Sequence, residues 1–150
     1  MTAPNNTRVI TVLHHYATGP GQELHDWLAA QPAVESVLLE HPFPFSRRRE
    51  AVCTRHAGNG SIQHTRHPRR VRWAPLRYLL DILRTLRIVL RLPGVYDLYV
   101  GNGCLDTLPG LLLRRCGKVR RVLLYSIDYA PDAYGPALGR VYRWLDRYCC

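Results

Sequence analysis

Two short apolar runs, Tyr96-Asp97-Leu98-Tyr99-Val100 and Val122-Leu123-Leu124-Tyr125-Ser126-Ile127, constrain this chain more than any other feature. Both are continuous rather than alternating, which suits strands covered on both faces, the habit of parallel sheets. Between them, Leu105 to Cys116 is apolar and helix-compatible, preceded by Gly101-Asn102-Gly103 and stopped by Gly117-Lys118. A strand, a helix and a strand at this spacing fit one right-handed crossover. In such sheets ligands gather at the carboxyl ends of the strands. Gly101 to Gly103 and Asp128-Tyr129 would then share one edge, the expected seat of function.

The same pattern opens the chain. Arg8-Val9-Ile10-Thr11-Val12-Leu13-His14-His15 reads as a strand from its β-branched content. A loop, Tyr16 to Gly21, leads to a helix near Gln22 to Ala30 with Leu24, Trp27 and Leu28 on one face, broken by Gln31-Pro32. Ser36-Val37-Leu38-Leu39-Glu40 follows as a second strand, closing at His41-Pro42-Phe43-Pro44. Two such units in 150 residues predict a single α/β domain over residues 1–150, large enough for its own core.

The segment between the units is less regular. Glu50 to His56 and Ser61 to Thr65 suit a hairpin around an Asn59-Gly60 turn. Pro75 starts a strong helix to about Leu92, ended by Pro93-Gly94. Its Leu79, Ile82, Leu83, Leu86, Val89 and Leu90 fall on one side and are expected to face the sheet. Arg77, Asp81, Arg84, Arg87 and Arg91 fall on the other, toward solvent or lipid head groups. Pro136 starts a last helix with Leu138, Val141, Tyr142, Leu145, Tyr148 and Cys149 as its apolar face.

Charge is concentrated in that middle segment. The net charge is +10, and between Arg47 and Arg91 twelve arginines face only Glu50 and Asp81, so the rest of the chain is balanced. An anionic partner is implied, whether a membrane face, a polyphosphate or nucleic acid, beside the plain alternative of a solvated basic surface. Trp73 and Tyr78 are the only aromatics there, too few for base stacking, so nucleic acid is not favoured. No run approaches the roughly 18 uncharged apolar residues that span a bilayer. The N-terminus lacks the basic and apolar regions of a secretion signal. A cytoplasmic protein is expected, with peripheral contact to the inner membrane face as an option. Cys53, Cys104 and Cys116 are isolated and Cys149-Cys150 adjacent, which matches no metal pattern and suits reduced thiols. No metal and no resident cofactor are expected.

Gly19-Pro20-Gly21 and Gly101-Asn102-Gly103 each place glycine before a helix start, where backbone N–H groups approach anions closely. Neither completes a dinucleotide fingerprint or a P-loop, and a plain turn serves equally for each. His14 and His15 close the first strand, suited to a structural or substrate hydrogen bond rather than to a metal. Asp128 is the candidate acid/base or sugar-hydroxyl ligand, or else a cap for the following loop, and Tyr129 would line the same edge.

Leu124-Tyr125-Ser126-Ile127-Asp128-Tyr129-Ala130-Pro131 and Arg140-Val141-Tyr142-Arg143-Trp144-Leu145-Asp146-Arg147 resemble the first domain of two-domain, GT-B glycosyltransferases. Closest are the family 4-like enzymes of bacterial cell-surface polysaccharide assembly. Tyr96 to Asn102 and the first glycine loop also fit. The resemblance implies a Rossmann-like parallel sheet with helices on both faces, forming an acceptor-binding half. It implies a nucleotide-sugar donor held mostly by a second domain missing from this sequence, so that the chain alone is inactive. Gly19 and Gly21 would lie near the donor diphosphate. Asp128 stands where many members carry a histidine that contacts the transferred sugar. A stand-alone nucleotide- or phosphate-binding module and a basic nucleic-acid binder are the other readings.

Overall fold

The computed structural model describes residues 6–15, 19–43, 50–56, 62–68, 73–126 and 135–150. Strand β1 (Thr7–His15) leads through helix α1 (Pro20–Ala29) to β2 (Val34–Pro42). A hairpin of β3 (Glu50–His56) and β4 (Ile62–Pro68) precedes α2 (Ala74–Arg91). Then come β5 (Tyr96–Asn102), α3 (Cys104–Arg115), β6 (Val119–Tyr125) and α4 (Gly135–Cys149). The six strands form one sheet in the order β4-β3-β2-β1-β5-β6. β2, β1, β5 and β6 run parallel, while β3 and β4 are antiparallel additions at one side. The architecture is α/β and compatible with a Rossmann-like fold, as the sequence leads one to expect.

Alternation along β1 sorts the helices by face, because successive side chains of a strand point oppositely. Leu13 lies under α1, where a Cβ on Gly21 would sit 3.2 Å from its Cδ2. His14, one residue on, meets α2 and α3 through Asp81 and Asp106. Helices therefore cover both faces. The core is the cluster of Ile10, Val12, Val37, Leu39, Cys53, Val89, Tyr96, Tyr99, Leu113 and Val119. At the amino edge Arg8 binds Glu35 at 2.9 Å, stacks over Tyr96, and donates its backbone N–H to Asp97. The hydrogen bond from Arg8 holds the Glu35 carboxyl below its ordinary pKa.

Helix α3 approaches the sheet closely because two glycines let it. A Cβ on Gly101 would stand 2.5 Å from the backbone nitrogen and Cα of Thr107, and one on Gly110 would stand 2.7 Å from Cε1 of Tyr99. The obstacle at Gly101 is main chain, which no rotamer change relieves. Gly101→Val should therefore destabilise the domain by about 3 kcal/mol, read as a lowered urea midpoint. Gly19→Ala, where a Cβ meets nothing within 4 Å, is the neutral control.

Helix α2 departs from expectation. Leu86 and Val89 do turn toward the core, but Leu79, Leu83 and Leu90 are 52%, 51% and 54% exposed. Arg77, Asp81 and Thr85 are buried in their place. Relative to the apolar face drawn from the sequence, the helix is turned by roughly 100°, one residue's worth of rotation. The cause is a polar demand from the strands beneath it, described next. In α4, likewise, Val141 and Tyr148 of the expected apolar face are exposed, and Trp144 stacks on Tyr148.

Candidate functional site

His14 and His41 end adjacent parallel strands in direct register, so both imidazoles arrive at the carboxyl edge on the α2 side. His14 is gripped twice by Asp106 in the first turn of α3. Its backbone N–H donates to Oδ2 at 3.0 Å, and Nδ1 lies 2.7 Å from Oδ1. The carboxylate can only accept from the backbone, and the same grip makes Nδ1 the protonated nitrogen of His14. Its position in the first turn of a helix also favours negative charge. Nε2 of His14 then faces Asp81 Oδ2 at 3.4 Å. Asp81 Oδ1 lies 3.5 Å from His41 Nδ1 and 3.5 Å from Arg84. His41 Nε2 bonds to the Thr85 hydroxyl at 2.8 Å.

The result is a continuous line from Asp106 through His14, Asp81 and His41 to Thr85, joining α3, two strands and α2. All four ionisable side chains in it are nearly closed to solvent, His14 least so at 8%. Tyr78 and Phe43 flank the His14 ring with centroids 5.2 and 5.9 Å away. Burial pulls the Arg77 and Arg84 guanidinium groups below their ordinary pKa. This demand explains the turn of α2: Asp81 and Thr85 must face the histidines, and the leucines one step round the helix are carried outward. Chemically the line is suited to holding the His14 imidazole in one tautomer and tying the strand ends to α2 and α3.

On the opposite side of β1 lies α1. β1 is flanked by β2, reached through α1, and by β5, which leads away through α3 on the other face. Chain direction therefore reverses between β1 and β5, the position at which open α/β sheets seat ligands. Gly21, in the first turn of α1, meets the Asn102 side chain there: a Cβ on Gly21 would stand 3.4 Å from Asn102 Nδ2. Gly19 is the residue before α1, and its N–H already donates to Gln22 Oε1 at 2.7 Å. Gly103 caps α3 with a positive φ of 99°, and its N–H donates to the Tyr125 carbonyl at 3.1 Å.

No protein-family model, curated protein or solved structure gives a significant match to this chain. The site is therefore read from its own geometry. Of the residues expected from sequence, Gly21, Asn102 and Gly19 gather on the α1 side of the edge. His14 is on the same edge but turned to the other face, locked to Asp106. His15 pairs with Pro42 as the last residue of β1. Gly101 has a packing role beneath Thr107. Asp128 and Tyr129 lie outside the described residues. Among the described residues no group of three or more His, Cys, Asp or Glu is placed to hold a metal ion. No described helix is long and apolar enough to cross a membrane.

Asp81, Asp106, His41 and Thr85 were not legible as site residues. One signal was present: His14 and His41 each close an apolar strand, and Asp81 is the only acid in an arginine-rich helix. An isolated acid among cations is a plausible partner for a buried histidine, but nothing in the spacing says which one.

Proposed function

We propose that this domain is the acceptor-side half of a two-domain glycosyltransferase, which moves a sugar from a nucleotide donor to a lipid- or saccharide-linked acceptor. The observation that carries the reading is the change of chain direction between β1 and β5, where Gly21 and Asn102 meet beside the amino end of α1. Glycine at that point lets α1 approach Leu13 and Asn102 closely, and the helix end favours the charge of a phosphate-bearing group beside it. The Tyr96 to Asn102 segment, one of those that carry the likeness to these enzymes, forms β5 and ends beside Gly21. Donor chemistry belongs to a second domain, so this half supplies positioning: a floor for the acceptor and one wall for the donor diphosphate. The Asp106–His14–Asp81 line underpins that floor by fixing the end of β1 against α2 and α3.

Amide chemical-shift mapping tests this reading. A short-chain polyprenyl diphosphate and a set of nucleoside-diphosphate sugars are titrated separately into the chain. The expected result is saturable movement of the Gly21 and Asn102 signals with the lipid diphosphate and weaker movement with a nucleotide sugar. Gly21→Val should abolish both. Response to nucleotides or inorganic phosphate alone, with none to the acceptor, would instead support a stand-alone phosphate-binding module. Silence at Gly21 and Asn102 up to millimolar ligand would end both readings.

A further inference from the structure

The outward turn of α2 leaves an apolar stripe on the surface. Leu79, Leu83 and Leu90 lie along one line of the helix, with Leu80 37% exposed beside them and Trp73 exposed just before the first turn. At 100° per residue, Arg87 and Arg91 fall along one flank of this stripe, and both are exposed. The only acid of the helix, Asp81, is buried against His14 and His41. The outer surface of α2 is therefore leucine edged by arginine, with no carboxylate of its own.

We infer that this face of α2 docks on an anionic lipid surface, with the leucines entering the head-group boundary and Arg87 and Arg91 bound to lipid phosphates. The charge decides between occupants. A second copy of this chain would bring a like-charged arginine edge against the first, which repels, whereas an anionic bilayer attracts both arginines and accepts the leucines. The arginine stems also extend along the apolar surface while their heads stay wet. The chain-wide excess reinforces this, since all of the +10 net charge comes from the segment that contains α2. The inference rests on the reading of a lipid-borne acceptor only for its biological sense. Vesicle binding and ligand binding at Gly21 and Asn102 are separate measurements, so either can fail alone.

Co-sedimentation of the full chain with vesicles tests it, comparing phosphatidylglycerol–phosphatidylcholine mixtures with phosphatidylcholine alone. The expected result is binding to the anionic vesicles that weakens steeply with salt, and little binding to the neutral ones. Arg87→Gln with Arg91→Gln should weaken binding roughly 30-fold. Leu79→Ser with Leu83→Ser should weaken it at least roughly tenfold with the charge unchanged. These side chains are on the surface, so circular dichroism and thermal melts should match the parent and separate lost docking from lost folding. Absence of binding to anionic vesicles, or leucine variants that bind like the parent, would overturn the inference. So would a concentration-dependent dimer that the leucine variants dissolve, because the stripe would then belong to a second copy.

Discussion

Replacing Asp106 with alanine should cost the domain about 3 kcal/mol and loosen the ends of β1 and α3 together. One carboxylate satisfies two buried donors of His14, the backbone N–H at 3.0 Å and Nδ1 at 2.7 Å. Truncation leaves both unpaired in a region closed to water, and each orphaned buried donor costs about 1–3 kcal/mol. The cavity adds little, since a carboxylate is small. Asp106→Asn separates the contributions. Its carbonyl oxygen can still accept from the backbone, but its amide then meets Nδ1, which must become the acceptor. The loss should fall to about 1 kcal/mol, and the imidazole should change tautomer, visible as exchanged ¹⁵N shifts of its two ring nitrogens. Urea unfolding of the two variants with imidazole NMR of His14 provides the check. An alanine variant as stable as the parent would show that the contact is incidental.

The second large effect concerns a histidine outside the site. His25, on the inner face of α1, is 1% exposed, and neither ring nitrogen has a hydrogen-bond partner among the described residues. Burial, aided by the neighbouring His56 ring at 5.2 Å and opposed by Asp26, pushes its pKa down to about 4. The folded protein therefore holds His25 neutral, while the unfolded chain protonates it near pH 6.5. Between these values the unfolded state binds the extra proton, so stability is complete above about pH 6.5 and declines as pH falls toward 4. The full difference is about 3 kcal/mol. Urea midpoints from pH 7.5 to 4.5 should show the decline, and His25→Leu should flatten it while leaving the acid sensitivity of Glu35. The pairing of Glu35 with Arg8 is lost separately, as pH falls through its depressed pKa. Identical slopes in parent and variant would mean that His25 is hydrated and titrates normally.

These two residues mark what the sequence reveals and what it conceals. The strands, the hairpin pairing and the sides of the sheet follow from short-range signals, continuous apolar runs and glycines before helix starts, while the expected Asn59-Gly60 turn lies outside the described residues. Those signals also placed Gly21 and Asn102 on one edge, because parallel crossovers return every strand end to the same side. What stayed hidden depends on contacts between distant parts of the chain. Asp106 reads as an ordinary first-turn acid, and only the folded chain shows that His14 lies under it. The face of α2 was misjudged for the same reason. Periodicity weighs leucine burial, but two histidines waiting in the sheet outweigh three leucines, since a buried unpaired imidazole is costlier than an exposed methyl group. Asp128 and Tyr129, expected on the same edge, lie outside the described residues, so their part in the proposed site rests on the sequence alone.

The route by which the His14 lock is completed carries a consequence for biosynthesis. Its two halves are 92 residues apart, so a ribosome releases β1, β2 and α2 before the carboxylate that grips His14 exists. Until Asp106 emerges, Asp81 of α2 can already meet His14 and His41, but the backbone N–H and Nδ1 of His14 lack their acceptor, and separations this long slow folding. The arrival of α3 supplies that acceptor and closes the lock late in translation.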